Sequence, residues 1–146
     1  MSGEYVAIIV DDLPEERRVE ICRIGMEITR HLVTSAECDI PWEGRNEFPP
    51  KVLAAAEHLR THFVAPRKRD QDYLQTGIIP VDDDTWAHLL IFAPYAYDVT
   101  CWSETGIDVI SLADEATSIV LWLSSSDQEA LARIIGNERL QPLASR

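Results

Sequence analysis

The hydrophobic pattern in the second half of the chain, residues 86–135, predicts several short strands followed by one helix. Residues 95–102 alternate between apolar and polar side chains, as in a strand with one buried face. Residues 107–112 and 118–123 are apolar runs separated by a short polar stretch, which predicts a β-hairpin. Residues 87–92 are also interpreted as a strand, although their composition would suit a helix capped by the preceding aspartates.

A capping sequence predicts where the last helix begins. Ser126 and Glu129 have the S-x-x-E spacing, in which the serine accepts a backbone hydrogen bond and the glutamate bonds back. Gly136 then ends the helix, because glycine readily adopts the backbone conformation that follows a helix. Residues 139–146 are expected to be a frayed tail.

The first half of the chain predicts one strand and two helices. Residues 5–10 form a continuous apolar run, typical of a strand covered on both faces. Asp12 is then the expected N-cap of a helix that continues to about residue 33. A second helix is predicted after Pro50, and residues 35–50 are interpreted as a loop because prolines and a glycine interrupt them.

Together these segments predict a single α+β domain. The apolar runs account for four or five strands, most of them joined by short connections, as in a mainly antiparallel sheet. Two or three helices would pack on one face of that sheet. A chain of 146 residues is the size of one ordinary domain, so residues 1–146 are assigned to a single unit.

The hydrophobic pattern indicates neither a membrane segment nor a secretory signal. The longest apolar runs are far shorter than the roughly twenty residues that span a bilayer. The N-terminus has no basic segment followed by a long apolar one, so a cytoplasmic location is expected. Cys22, Cys38 and Cys101 form no C-x-x-C motif and are expected to be free buried thiols, and no cofactor or metal is expected.

Residues 8–15, IIVDDLPE, resemble the start of a response-regulator receiver domain. In that family a strand ends in paired carboxylates that help to hold magnesium, and the matching residues here are Asp11 and Asp12. The resemblance covers about ten residues. A receiver domain also needs a lysine at the end of a later strand, and neither Lys51 nor Lys68 is placed in that way. A strand end followed by a helix cap is therefore the preferred interpretation.

Two histidines, His58 and His62, stand one helical turn apart in the second predicted helix, which is the spacing of a zinc-binding helix. Leu59 occupies the position where a metalloprotease places its general base. The sequence nominates no third ligand, so partly exposed side chains are the preferred interpretation. His88 lies inside an apolar run and is assigned to packing in the core or at an edge.

The charge distribution is the one feature that folding does not require. The net charge is −12, and residues 71–132 contain eleven acidic residues but no Lys or Arg. Such a segment repels phosphates and anionic lipids, so neither nucleic acid nor a membrane is expected as a partner. Solubility alone would also explain the excess of acids. A cationic protein is the remaining partner class that this charge favours.

Two functions are consistent with these observations. The first is a non-enzymatic, acidic protein-binding module that neutralises a basic partner, as bacterial immunity proteins and antitoxins do. Its expected contact residues combine carboxylates with aromatic rings: Asp82, Asp83, Asp84, Trp86, Asp98 and Trp102. The second is a small enzyme or a ligand- or metal-binding domain that uses Asp11, Asp12 and nearby histidines. A deep pocket that joins those residues would favour the second function, and the sequence specifies no oligomeric state.

Overall fold

The predicted α+β class and antiparallel sheet are confirmed by the structure, a computed structural model that describes residues 2–41, 48–62, 67–70 and 73–143. Within these residues there are four α-helices: α1 (Glu15–Thr29), α2 (Pro50–Arg60), α3 (Asp83–Phe92) and α4 (Ser125–Ile135). The strands are β1 (Glu4–Ile8), β2 (Ser35–Pro41), β3 (Arg67–Asp70), β4 (Tyr73–Gln75), β5 (Ile79–Pro80), β6 (Asp98–Trp102), β7 (Asp108–Ala113), β8 (Ser118–Leu123) and β9 (Leu140–Pro142).

The main sheet has seven antiparallel strands in the order β9-β1-β8-β7-β6-β2-β5. The hairpin of β3 and β4 extends it, because β4 pairs with residues 39–41 of β2. The prediction of four or five strands and two or three helices was therefore too low. The missed strands are short or polar: β2 carries Glu37 and Asp39 and ends in a proline, which concealed it in the predicted loop. Residues 42–47 of that predicted loop lie outside the described residues.

The predicted strand at residues 87–92 was wrong, since these residues belong to helix α3. Asp82 is the N-cap of α3, and its side chain accepts a hydrogen bond of 2.7 Å from the backbone N–H of Thr85. Trp86, Leu89 and Phe92 then recur at helical spacing and are buried. The alternative that the sequence also allowed, a helix capped by the aspartates, is the one that forms.

Two expectations near the C-terminus also need correction. The N-cap of α4 is Ser124, whose hydroxyl accepts from the backbone N–H of Asp127 at 3.2 Å, so Ser126 does not cap the helix. The helix ends before Gly136, as predicted. Residues 140–142, expected to fray, form β9 and pair with β1, while residues 144–146 lie outside the described part of the chain.

The two faces of the main sheet differ in their surroundings. The inner face packs against the helices, and Gly25 allows α1 to approach closely: a Cβ atom there would lie 2.9 Å from Leu121 and 3.2 Å from Ile8. The hydrophobic core lies between this face and the helices. Several side chains of the opposite face remain partly exposed, such as those of Ala7, Thr100 and Val120, whereas Trp122 is buried. The residues of β1, β2, β6, β7 and β8 that point away from the helices are called the open face below.

No helix in the described residues is both long enough and apolar enough to cross a membrane.

Candidate functional site

The open face combines aromatic and acidic side chains. The registers of the strands place partly exposed Tyr5 opposite Trp122, which is buried, and Trp102 opposite Asp108. Thr100 lies in the middle of the face, between Glu37 on β2 and a serine on β7. Apolar and hydroxyl groups thus occupy the centre of the face, and carboxylates lie towards its edges.

Positive charge is absent from the seven strands of the main sheet, none of which contains Lys or Arg. Among the strands that the structure describes, basic residues occur only in β3. Carboxylates of the open face include Glu37, Asp98 and Asp108. The electrostatic potential over this face is therefore expected to be negative, which favours approach by a cationic molecule.

Two of the six expected contact residues lie on the open face. Asp98 is exposed and Trp102 is partly exposed, and their separation along β6 places both side chains on the same side of the sheet. Trp86 is not at the surface, because its indole is only 6% exposed. Its ring N–H donates to Glu27 at 3.1 Å, and the guanidinium of Arg30 lies 5.2 Å from its ring.

The remaining three expected residues, Asp82–Asp84, form the start of α3. Hydrogen bonding to Thr85 in the helix cap lowers the pKa of Asp82 below its usual value. Asp83 accepts from Arg30 at 3.1 Å. Two backbone hydrogen bonds connect this region to the open face. The N–H of Val81 donates to the carbonyl of Thr34, and the N–H of Thr34 donates to the carbonyl of Trp102. The acidic start of α3 therefore borders the end of the open face that carries Trp102.

A second constellation, the histidine cluster (His58, His62, His88 and Asp84), lies where α2 contacts α3. The rings of His58 and His88 are stacked at 3.6 Å with 11° between their planes. His58 Nε2 lies 2.9 Å from a carboxylate oxygen of Asp84. Sequence reasoning found only His58 and His62, because it interpreted the segment of His88 as a strand and so lost the α2–α3 contact.

His88 and His62 differ in their hydrogen bonding. His88 Nδ1 lies 2.8 Å from the backbone carbonyl of Asp84, which can only accept, so this nitrogen carries the hydrogen. The neutral ring then keeps a lone pair on Nε2. His62 lies with its ring centre 5.6 Å from that of His58, and its Nε2 is inaccessible to water and makes no hydrogen bond within the described residues.

The hypothesis of a small enzyme or ligand-binding domain grouped Asp11 and Asp12 with these histidines. In the structure the two aspartates and the histidines have different neighbours. Arg139 forms a two-pronged ion pair with Asp12, at 2.8 and 3.1 Å. Asp11 lines a shallow depression with β1, the start of β8 and Gln141, and no histidine contributes to it. The expected cap was also wrong, because the N-cap of α1 is Pro14 and not Asp12.

Comparison with known proteins gives no further assignment: no family model, no curated protein and no solved structure matches this chain.

Proposed function

We propose that this chain is a non-enzymatic module that binds a cationic protein through the open face, as an immunity- or antitoxin-like inhibitor. The observation that carries the proposal is the composition of this face: aromatic side chains with carboxylates, on a sheet whose seven strands contain no Lys or Arg. Folding requires an apolar inner face but sets no such condition on the opposite one.

The residue types suit a contact with a basic surface. Partly exposed Trp102 supplies apolar area and a ring face over which an Arg or Lys side chain can lie. Asp98 and Asp108 supply oxygens that accept paired hydrogen bonds from guanidinium groups. A negative surface also accelerates encounter with a positive partner, and this acceleration falls as the salt concentration rises.

The dimensions indicate how much of the surface a partner would cover. Five neighbouring strands about 4.8 Å apart, each roughly five residues long, give a face of about 19 by 17 Å. Its area, about 320 Å², is less than half of what each partner buries in an interface of standard size. The partner would therefore extend over the border of the face, and the acidic start of α3, Asp82–Asp84, is the adjoining region of matching charge.

The proposal is tested by affinity capture from a lysate of the organism that encodes the chain, at low and high salt. The wild-type protein should retain a basic protein at low salt and release it at high salt. The variants Asp98→Lys and Trp102→Ala should each reduce retention about tenfold or more. A loss of this size is typical when a residue that contributes strongly to an interface is replaced. Purified partner and isothermal titration then give the affinity of each variant.

Two control variants carry the same charge change elsewhere. Glu129→Lys alters an exposed residue of α4, on the helix side of the sheet, and should leave retention unchanged. Glu16→Lys alters a groove of about 690 Å³ along α1, which is also acidic and partly apolar. The proposal fails if no basic protein is retained, or if Glu16→Lys or Glu129→Lys reduces retention as much as Asp98→Lys does.

A further inference from the structure

The histidine cluster brings together three potential metal ligands from two helices that meet only in the folded protein. One potential ligand atom each from His58, Asp84 and His88 lies within 4.8 Å of the other two. His58 comes from α2, while Asp84 and His88 stand one turn apart on α3. The sequence alone paired His58 with His62 and nominated no third metal ligand. The fold instead places Asp84 and His88 beside His58.

We propose that His58, Asp84 and His88 form a binding site for a divalent first-row transition metal, with Zn²⁺ as the preferred ion. Imidazole nitrogens and a carboxylate oxygen are the ligands that these ions take in proteins, and three protein ligands leave one position for water. Calcium and magnesium prefer sites made of oxygen atoms, so two histidines select against them.

The hydrogen bonds of the cluster prepare its atoms for coordination. The bond from His88 Nδ1 to the backbone carbonyl of Asp84 fixes the ring and leaves Nε2 with a lone pair. The metal would replace the hydrogen that His58 Nε2 now shares with the Asp84 carboxylate across 2.9 Å. A neutral His58 ring then carries its hydrogen on Nδ1 instead and releases no net proton, whereas a doubly protonated ring releases one.

Coordination requires a small movement of the rings. Zinc bonds of about 2.1 Å place tetrahedral ligand atoms roughly 3.3 Å apart, closer than the outer limit of 4.8 Å observed here. A metal ion also lies in the plane of each ligating imidazole, and two rings stacked at 3.6 Å cannot share such an ion. Because the Asp84 carbonyl holds the ring of His88, the ring of His58 must turn about its Cβ–Cγ bond, which its side chain, 35% exposed, can do.

Two further features favour cation binding at this place. The Asp84 side chain is 68% exposed and gives an ion direct access from solvent. Asp82 and Asp83 adjoin it, and the net charge of the chain is −12, so the local potential attracts cations. Competing thiols are remote from solvent, because Cys22, Cys38 and Cys101 are at most 1% exposed.

The test is a calorimetric titration of the untagged full chain with ZnCl₂. The absorption spectrum of bound Co²⁺ is a second readout, which reports nitrogen coordination. The wild-type protein should bind one Zn²⁺ per chain. The variants His58→Gln and His88→Gln should each weaken binding about tenfold or more, as loss of a ligand or of its orientation does. MgCl₂ should produce no binding at concentrations at which zinc saturates the site.

The matched control is His31→Gln. His31 is the fourth histidine of the chain, and its Nε2 bonds at 2.8 Å to Asp127, on other elements. This variant should bind zinc as the wild-type protein does. Circular dichroism and thermal unfolding without metal establish that each variant is folded. The proposal is overturned if the folded double variant His58→Gln/His88→Gln binds zinc as tightly as the wild-type protein. It is also overturned if His31→Gln weakens zinc binding as much as His58→Gln or His88→Gln does, or if the wild-type protein binds no zinc.

Discussion

Arg139 holds Asp12 through two parallel hydrogen bonds of 2.8 and 3.1 Å, and it donates a further bond of 2.9 Å to the backbone carbonyl of Ile9. These contacts connect the segment that follows α4 to the end of β1. The hydrogen bonds from Arg139 lower the pKa of Asp12, and the same pair raises the pKa of Arg139. Paired guanidinium–carboxylate geometry of this kind is among the stronger ionic contacts.

The ion pair predicts a pH-dependent effect of Asp12→Asn. Because the folded-state pKa of Asp12 is lowered, the stabilisation is present above its unfolded-state pKa of about 3.9 and is lost as the pH falls through the lower folded-state value. The melting temperature of Asp12→Asn should thus lie slightly below that of the wild-type protein at neutral pH. The two should converge in acid. A difference that stays constant from neutral to acidic pH would contradict this origin of the stabilisation.

The observed cap of α4 predicts unequal effects of two neighbouring substitutions. Ser124→Ala removes the oxygen that accepts from the Asp127 N–H, and should lower the free energy of unfolding by about 1 kcal/mol. Ser126→Ala, at an exposed helical position, should have a much smaller effect. Chemical denaturation of both variants measures the difference. A larger loss for Ser126→Ala would restore the capping box that the sequence pattern predicted.

Close packing at Gly25 predicts that a large side chain there is destabilising. Gly25→Leu places atoms where Leu121 and Ile8 lie, and should lower the free energy of unfolding by about 1–3 kcal/mol. Gly25→Ala should be milder, since alanine favours the helix by roughly 1 kcal/mol relative to glycine. Ala54→Leu, on the exposed side of α2, is the size-matched control and should be nearly neutral. Equal losses for Gly25→Leu and Ala54→Leu would argue against this packing.

Burial of the three cysteines predicts that they are inert in the native protein. Removal from water raises the pKa of Cys22 and of Cys101 to about 12 and also raises that of Cys38, so thiolate is scarce. A disulfide reagent at about pH 8 should modify none of the three in the folded protein and all three in denaturant. Rapid modification of the native protein would show that a cysteine is accessible.

Elements whose signal is local could be predicted from the sequence. Apolar runs on either side of a polar turn specified the hairpin of β7 and β8, which forms with Leu112 opposite Ile119. The helix expected up to about residue 33 forms as α1, which ends at Thr29, and the three cysteines without a paired motif are free and buried, as predicted. These predictions succeeded because strand and helix periodicity depend on residues close together in the chain.

Tertiary structure alone decided which distant residues meet. Strand β2 alternates polar residues with buried Ala36, Cys38 and Ile40, and β6 and β4 supply the partners for its backbone. The apolar run that contains His88 fits either a strand or a helix, and packing of α3 against α2 and α1 selects the helix. His58 and Asp84 are 26 residues apart, so no local pattern could place them 2.9 Å from each other. The acidic, base-free character of residues 71–132 was visible in the sequence, but the sheet registers assigned Asp98 and Trp102 to the open face and the core enclosed Trp86.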